Sequence, residues 1–565
     1  MNYNKNEAKL FKKKCDFLKT LFVLSIISYY LFVFTQQISI ILDLNLLHEE
    51  LRQLFPYYHI NDPSLFSGDY ITSYYLSSNQ PVLYDFITSS WLSYGGNLLQ
   101  LHRIMPIILW ILLLVSVALV GWKLQGIIGF IGTFGLVLSQ PLFLYQITSA
   151  IPHAFAFPLL GWALVALLYN SVLGVVVLTL LSSALYPLVT PIIGLSLAGY
   201  LLIFYKDKLK VLSPSIIIRV IAILGVVGGI SIILGSTVLQ PKEGFGEPLA
   251  LFQEIEKYPE NGPEGRNFIG VTNPQFYILS KFLDQFKEAI NLSGWNIVLL
   301  LIYLSLSLYG FISYTKNSQN KKMLEIFILV NIIVISLAFV LKPFWVYRFF
   351  LYPFAIIFSV LLPLGVTKIF SYSKNTNYSS YLPLLFLFMF TLTLDGGSQK
   401  NIGYSSKIDA ETRKVLDFVQ KLPKNALIAG WPTHTVGRNV TELIPYITKH
   451  RVLILGKAHY PSHQGYLIEM RQRMYLLIDA YSTSNVEPIK KLRDNYGVSY
   501  FLVNKSYVTY PPKYFAPFQD YIENRWQTRM KEGFLLSKSV VQGKIFESEG
   551  YFILDINKFL AGDSL

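Results

Sequence analysis

The residues of this chain whose types and spacing best suit chemistry are two adjacent carboxylates, Glu49 and Glu50. A carboxylate can take a proton from a hydroxyl as a general base. A pair of them also suits a hard divalent cation such as Mg²⁺ or Mn²⁺, which would neutralise a phosphate. Asp69 follows as a further acid in the same segment. The alternative interpretation is a solvated helix face on which Glu49 or Glu50 pairs with Arg52 or Arg103.

Cations between apolar runs are candidates for holding an anion. Lys342 and Arg348 flank an aromatic segment between two such runs. An arginine binds phosphate through its planar fork, and aromatic neighbours can stack along an isoprenoid chain. His153, at the mouth of another run, can hydrogen-bond a phosphate or a sugar. The alternatives are anchoring of Lys342 and Arg348 at a membrane interface, and helix capping or headgroup contact by His153.

Two further pairs of residues, nearer the C-terminus, are not expected to form functional sites. His459 and His463 have the spacing of a helical metal pair, but Pro461 interrupts the helix that this spacing needs, and no third ligand is evident. Zinc is therefore not expected there. Arg471 and Arg473 lie on a predicted helix face, and we expect both to be solvated.

The composition sets the class of protein that must position these residues. Of 565 residues, 53% are hydrophobic and only 15% are charged, and Lys123 is the one charged residue between Ile104 and Phe204. Such a run indicates a polytopic α-helical membrane protein. The single cysteine, Cys15, excludes an intrachain disulfide. The net charge is +14, but many of the lysines lie beside apolar runs, where they act as topology signals, so nucleic acid is not a predicted partner.

About eleven apolar runs approach the ~20 residues that a membrane span needs. The first is predicted to be an uncleaved helix, because no small-residue cleavage site follows it. The predicted spans are 20–42, 104–122, 127–146, 152–169, 171–186, 188–205, 215–237, 295–313, 323–341, 349–369 and 381–395.

The distribution of basic residues predicts the orientation. With the basic N-terminus (1–19) in the cytoplasm, every strongly basic short loop falls on the cytoplasmic side. Two long acidic loops then face outward: loop 1 (about 43–103) and loop 2 (about 239–294). The Gly- and Pro-rich turns of loop 2 favour a solvated connection, with a lid over a substrate as the alternative. The predicted location is the inner (plasma) membrane, with several passes.

After Leu394 the pattern changes from membrane-like to soluble. Short apolar runs at 427–429, 452–455, 500–503 and 551–556 alternate with helix-like segments. This alternation predicts an α/β domain with a largely parallel sheet. The organisation is therefore a transmembrane region (20–395) followed by an extracytoplasmic α/β domain (396–565).

The motif in loop 1 resembles that of the C-type glycosyltransferase superfamily (GT-C), which includes protein O-mannosyltransferases and lipid A aminoarabinose transferases. The motif consists of acid-acid-x-Arg-Gln at 49–53, followed by Asn-Asp-Pro-x-Leu-Phe-x-x-Asp at 61–69. This pattern resembles that of a bacterial branch of the superfamily. It implies a GT-C-like fold, Glu49 and Glu50 as base or metal ligands, and Asp69 as a supporting acid. Arg348 would bind the donor phosphate, supported by Lys342. Glu-Glu replaces the more usual Asp-containing pair, and Asp43 is the competing candidate.

The function predicted from these residues is transfer of a sugar from a polyprenyl-phosphate donor, with inversion, to a glycan, lipid or protein acceptor in the cell envelope. The lipid carrier is inferred because nucleotide sugars are cytosolic while these acids are predicted to face outward. One alternative is a non-enzymatic transporter or assembly scaffold on a GT-C-like fold. Another is an oligosaccharide ligase or polymerase with the same outward site. The uncharged block and the lack of repeated halves count against a transporter.

Overall fold

The computed structural model describes residues 5–44, 46–48, 54–77, 80–204, 225–233, 240–249, 257–261, 265, 296–314, 318–341, 348–371, 381–394, 402–405, 408–432, 440–456, 463–537 and 542–562. Five candidate residues from the sequence lie outside these ranges: Glu49, Glu50, Arg52, Lys342 and His459.

The N-terminal two thirds of the described chain is helical. Residues 225–233 are also helical. The remaining helices are α1 (Lys5–Leu42), α2 (Tyr58–Asn61), α3 (Tyr70–Leu76), α4 (Val82–Ser93), α5 (Leu98–Gln125), α6 (Ile127–Ser139), α7 (Pro141–Thr148), α8 (Ala156–Leu168), α9 (Val172–Leu185), α10 (Thr190–Phe204), α11 (Asn296–Ser313), α12 (Ser318–Leu341), α13 (Arg348–Ser371) and α14 (Leu382–Leu392).

Within the described ranges, three helices are long and apolar enough to cross a membrane: α1 from Thr20, α5 and α13. The pair α6 and α7 adds a fourth if it is counted as one bent span, and five shorter apolar helices accompany them. These helices have the composition of a membrane protein, as the sequence predicts. The count of about eleven spans stays a prediction.

Glycines allow two pairs of these helices to pack backbone against backbone. A Cβ atom at Gly365 of α13 would lie 1.9 Å from the carbonyl oxygen of Leu306 in α11, and one at Gly121 of α5 would lie 2.2 Å from the carbonyl oxygen of Gly129 in α6. Small residues at helix crossings are a common solution in membranes, where close van der Waals packing has to drive association.

A break at Gln140 and Pro141 separates α6 from α7, which diverge by 62°. A break leaves carbonyls at the end of the first helix without partners in the next turn. The buried Gln37 of α1 supplies one: its Nε2 donates to the carbonyl of Leu138 at 2.9 Å, and its Oε1 accepts from Trp110 Nε1 at 3.1 Å. The break changes the direction of α7 and so determines where the residues at its far end lie.

The C-terminal part is an α/β unit, as predicted. Its helices are α15 (Ala410–Val419), α16 (Val440–Thr448), α17 (Gln464–Tyr481), α18 (Glu487–Tyr496), α19 (Lys505–Thr509), α20 (Phe518–Glu532) and α21 (Ile556–Gly562). The strands of the whole described chain are β1 (Leu47–His48), β2 (Tyr404–Ser405), β3 (Leu427–Gly430), β4 (Arg451–Val452), β5 (Val498–Asn504), β6 (Lys544–Glu547) and β7 (Tyr551–Asp555).

The main sheet has the order β4-β3-β5-β7-β6. Strand β3 is parallel to β4 and β5, whereas β7 is antiparallel to β5 and β6. The expectation of a largely parallel sheet is therefore wrong for half of the pairings. For the pair β6–β7 the physical reason is the short connection, since a link of a few residues can join only antiparallel strands.

The α/β unit lies on one end of the helical bundle, here termed the domain side. Strand β1 of loop 1 pairs with β2, with Leu47 opposite Ser405 and His48 opposite Tyr404. Farther along, Arg451 donates to the carbonyl of Ser67 at 3.4 Å. Loop 1 is therefore held between the bundle and the α/β unit.

Loop 2 also contacts the α/β unit, through a junction formed by Tyr74, Phe245, His463 and Tyr466. The rings of Tyr74 and Tyr466 stack with centroids 3.7 Å apart, and Phe245 of loop 2 meets both edge-on. His463 bridges the hydroxyl of Tyr74 (3.0 Å) and the carbonyl of Gln240 (2.9 Å). The described part of loop 2 at 240–249 is therefore anchored at this junction through the buried Phe245, while most of its residues are exposed. The expectation of a solvated connection stays a prediction.

The two arginines expected to be solvated are both engaged. Arg471 forms a two-pronged ion pair with the buried Glu260 of loop 2, through Nε at 2.8 Å and Nη2 at 2.7 Å. Arg473 is buried, pairs with Glu469 at 2.8 Å, and lies over the ring of Tyr70 in loop 1. Helical periodicity could not predict the contacts with Glu260 and Tyr70, because these partners come from distant loops, whereas the pair of Arg473 and Glu469 has the i, i+4 spacing of one helix.

Candidate functional site

Arg348 is the first residue of α13, at the domain side of the bundle, and is half-buried. Its Nη1 donates to the hydroxyl of Tyr186, the residue at which α9 ends, at 3.1 Å. One turn into α13, the Tyr352 ring packs against that of Tyr186, with centroids 6.1 Å apart. The hydroxyl of Tyr352 donates to Oε1 of Gln146 in α7 at 3.3 Å. The ends of three helices therefore meet around this guanidinium.

From Gln146 the contacts continue to loop 1. The neighbouring Tyr145 places its ring 5.7 Å from the imidazole of His48, which is fully buried and directly precedes Glu49. An unbroken series of neighbours thus joins the acidic segment to Arg348. We term it the contact line; it consists of His48, Tyr145, Gln146, Tyr352, Tyr186 and Arg348.

A glycine of the α/β unit fixes His48. Gly403 has φ +79°, and a Cβ atom there would lie 2.0 Å from Nε2 of His48. The Tyr404 ring meets the imidazole edge-on at 5.9 Å. Only glycine adopts this backbone conformation without strain and also admits the ring so closely.

Arg103, the alternative partner of the acidic pair, uses its terminal nitrogens on backbone carbonyls. Nη1 donates to Ile41 at 2.9 Å and Nη2 donates to Leu46. Its guanidinium also lies over the ring of Tyr404, 5.1 Å from the centroid.

His153 lies in a buried turn, Pro152–Phe155, immediately before α8. This turn packs on α5 and on α9, the helix that ends at Tyr186. The structure places His153 at the domain side with the contact line, although it is not a member of that line. A role in binding phosphate stays a prediction.

Asp69 caps α3. Its Oδ2 accepts from the backbone nitrogen of Thr72 at 2.8 Å and from the Thr72 hydroxyl at 2.7 Å. Burial raises the pKa of the Asp69 carboxyl, while Thr72, Arg473 and Arg451 act in the opposite direction. The structure therefore gives this carboxylate a capping role beside the α/β unit. Its proposed catalytic support stays untested.

No cluster of three or more His, Cys, Asp or Glu side chains occurs in the parts of the chain that the structure describes. Asp69 is engaged by Thr72, and Asp85 accepts from the hydroxyl of Tyr57 at 2.9 Å. The predicted cation ligands, Glu49 and Glu50, lie outside the described ranges. A divalent cation thus remains a prediction about those two residues.

Sequence reasoning missed Tyr186, Tyr352 and Gln146. Each is a polar group in or at the end of an apolar run, and Tyr186 and Tyr352 both precede a proline. A polar side chain at a proline-marked helix end is a usable signal, because such ends face the aqueous boundary or a cavity.

The chain is similar to solved structures of two kinds. Over 93% of this chain and 74% of the other, it aligns with archaeal oligosaccharyltransferase AglB from Archaeoglobus fulgidus, in complex with an inhibitory peptide and a dolichol-phosphate, at 12% identity and a TM-score of 0.48. A second structure of the oligosaccharyltransferase from that organism, complexed with Zn and sulfate, aligns at 14% identity and a TM-score of 0.46. In that case the alignment covers 76% of this chain, which spans 60% of the other structure's length.

ArnT from Cupriavidus metallidurans, bound to undecaprenyl phosphate, aligns over 95% of this chain and 98% of the other, at 12% identity and a TM-score of 0.37. No protein-family model and no curated protein sequence matches the chain. Because these TM-scores are below 0.5, the assignment of a reaction rests on the residues of the chain itself.

Proposed function

We propose that this protein transfers a sugar from a polyprenyl-phosphate donor to a glycan, lipid or protein acceptor outside the cytoplasm. The observation that carries the proposal is the contact line. It connects a guanidinium at the end of an apolar helical bundle to the residue that precedes two adjacent carboxylates. The resemblance of the loop 1 motif to GT-C enzymes supports the same reaction.

Arg348 is suited to a phosphate at the membrane surface. A guanidinium binds phosphate through two parallel hydrogen bonds. As the first residue of a 24-residue helix, Arg348 also lies at the positive end of the helix dipole, which favours an anion. Tyr186 orients the guanidinium through its hydroxyl, and Lys342 would add a second positive charge. The lipid tail would run along the apolar helices.

In the proposed reaction the acceptor hydroxyl attacks the anomeric carbon on the face opposite the phosphate. Its proton passes to the carboxylate of Glu49 or Glu50, and a new C–O bond forms as the bond from the anomeric carbon to the phosphate oxygen breaks. The released polyprenyl phosphate keeps the electron pair, and Arg348 stabilises its charge. The product has the inverted configuration. A divalent cation held by Glu49 and Glu50 would add further neutralisation of the phosphate.

The test is to replace Glu49→Gln and Glu50→Gln, singly and together, and to measure release of free polyprenyl phosphate from a panel of polyprenyl-phosphate hexoses and pentoses. Loss of a general base lowers turnover about 10²- to 10⁴-fold, so the double variant should be nearly inactive. Glu243→Gln, at an exposed glutamate of loop 2, is the matched control and should retain activity. Full turnover in the correctly inserted double variant would reject Glu49 and Glu50 as the catalytic residues, and no turnover in the wild type with any donor of the panel would instead support a non-enzymatic scaffold.

A further inference from the structure

The turn between α1 and β1 is tied to α5 by the side chain of Arg103. The last carbonyls of a helix have no partner within the helix. Arg103 of α5 donates from Nη1 to one of them, the carbonyl of Ile41, and from Nη2 to the carbonyl of Leu46, which lies immediately before β1. One planar group thus ties both ends of the turn to α5.

Burial of this guanidinium shows that its role concerns geometry rather than surface charge. Arg103 is 3% exposed, and among the ion pairs of the described residues none involves it. Removing an ion from water costs several kcal/mol. The two carbonyls, the negative end of the α1 dipole and the face of Tyr404 offset that cost.

The α/β unit holds the same segment from the other side. His48 is paired with Tyr404 across the two strands, and the Tyr404 ring contacts both the His48 imidazole and the Arg103 guanidinium. Arg103, Tyr404 and His48 are therefore one buried cluster. Glu49 follows the cluster directly in the sequence.

We propose that Arg103 is a positioning residue for the reaction: it fixes β1, the strand that directly precedes Glu49 and Glu50 in the sequence. The inference rests on the proposed function of that acidic pair. Arg103 itself contacts neither donor nor acceptor. Its substitution should lower the rate of the chemical step without weakening the binding of the donor.

The kinetic test compares Arg103→Met with Arg451→Met. Both arginines bind carbonyls of loop 1, but Arg451 binds Ser67, which is remote from β1. A displacement of about 1 Å at reacting groups costs on the order of 100-fold. We therefore expect kcat of Arg103→Met to fall about 10- to 100-fold with KM within about twofold. Arg451→Met should keep its kcat.

Arg103→Lys separates charge from geometry. A lysine retains the positive charge but lacks the rigid fork that reaches two carbonyls together. Positioning by the fork predicts that Arg103→Lys keeps most of the kcat defect. Restoration of wild-type kcat by lysine would show that charge alone matters and would overturn the proposal.

A second measurement needs no activity. In a Cys15→Ser background, cysteines at Leu47 and Ser405 occupy Cα partners of an antiparallel pair, a separation that a disulfide can bridge. Arg103→Met should slow formation of this disulfide, and the formed disulfide should restore kcat to the variant. Unchanged disulfide formation, or a locked variant that stays slow, would contradict positioning. If Glu49 and Glu50 are not catalytic, the variant that carries both Glu49→Gln and Glu50→Gln will instead keep full turnover.

Discussion

At the scale of single residues, the site depends on side chains that orient one another before any ligand is present. Arg348 is aimed by Tyr186, Tyr186 packs on Tyr352, and Tyr352 is anchored on Gln146. Such an arrangement reduces the ordering that ligand binding would otherwise require. The contribution of each member should therefore be measurable as affinity or rate rather than as loss of the fold.

Tyr186→Phe removes the hydroxyl that accepts from Arg348 and leaves the ring. One hydrogen bond to a charged group contributes about 1.5 kcal/mol, so affinity for undecaprenyl phosphate should fall roughly tenfold. Native mass spectrometry on the protein in nanodiscs measures this. Tyr29→Phe, on the membrane helix α1, is the control and should bind as wild type. Equal affinity in Tyr186→Phe would mean that the hydroxyl does not orient the guanidinium.

Gly403→Ala should lower turnover by displacing His48. The new Cβ atom would overlap Nε2 of His48, and the positive φ adds about 1 kcal/mol of strain. Gly533→Ala is the matched control, because Gly533 has φ +84° and a Cβ atom there would meet nothing within 4 Å. Both variants carry the strain of a positive φ, but only Gly403→Ala also displaces His48, so only Gly403→Ala should lose activity. Equal turnover in the two variants would show that the position of His48 does not affect activity.

At the scale of elements, the break between α6 and α7 determines where Tyr145 and Gln146 lie. The bend is stabilised from two sides, by Gln37 on the Leu138 carbonyl and by Gln140, whose Nε2 donates to Ser359 at 3.0 Å. Gln37 of a neighbouring helix thus satisfies one backbone carbonyl beside the proline-marked break, and Gln140 ties the break itself to α13.

Gln37→Leu tests this role of α1. It leaves the Leu138 carbonyl without the Gln37 donor and Trp110 Nε1 without the Gln37 acceptor, at a cost of about 1–3 kcal/mol. Gln36→Leu is the control, because Gln36 is exposed on the same helix. Unfolding in detergent should show a lower midpoint for Gln37→Leu alone. Identical midpoints would show that the bend does not need α1.

Much of the element pattern could be predicted from hydropathy. The predicted spans 349–369 and 381–395 correspond to α13 and α14, and the run 127–146 corresponds to α6 with α7. The bend inside that run depends on tertiary contacts that hydropathy does not contain. The acidic pair could be identified by residue type. Tyr186 and Tyr352 could not, because a single tyrosine hardly changes the mean hydropathy of an apolar run.

At the scale of the whole molecule, the two loops and the α/β unit form one assembly over the domain side of the bundle. The hydrogen bond between Tyr74 and His463 joins residues 389 positions apart. No local pattern predicts such a contact. The same pairing explains why His463, considered from sequence as half of a metal pair, is instead a structural residue of the junction.

The junction should weaken in acid. The Gln240 carbonyl can only accept, so Nε2 of His463 carries the proton and Nδ1 accepts from Tyr74. Burial lowers the pKa of His463, opposed by the bond to Gln240 and by Glu247, while nearby Lys242 lowers it further. Because folding lowers the pKa of His463, the stability that the neutral imidazole gives to the junction is fully present above the pKa of the unfolded chain, about 6.5. This stability is lost as the pH falls below that value.

Limited proteolysis of loop 2 measures that loss. Cleavage within 240–249 should be faster at pH 5.5 than at pH 7.5, and His463→Gln should remove most of the difference. Lys242, whose pKa burial lowers to about 8, stays largely protonated in this range and should not contribute. Cleavage that is independent of pH in the wild type would show that His463 does not titrate there.

The central claim is that a membrane-borne phosphate binds between Arg348 and the acidic segment of loop 1. The direct measurement is a cryo-electron microscopy structure in nanodiscs containing undecaprenyl phosphate. We predict density for the phosphate within hydrogen-bonding distance of the Arg348 guanidinium and facing Glu49 and Glu50. A phosphate bound elsewhere, with Arg348 and the acidic pair separated by packed protein, would contradict the account.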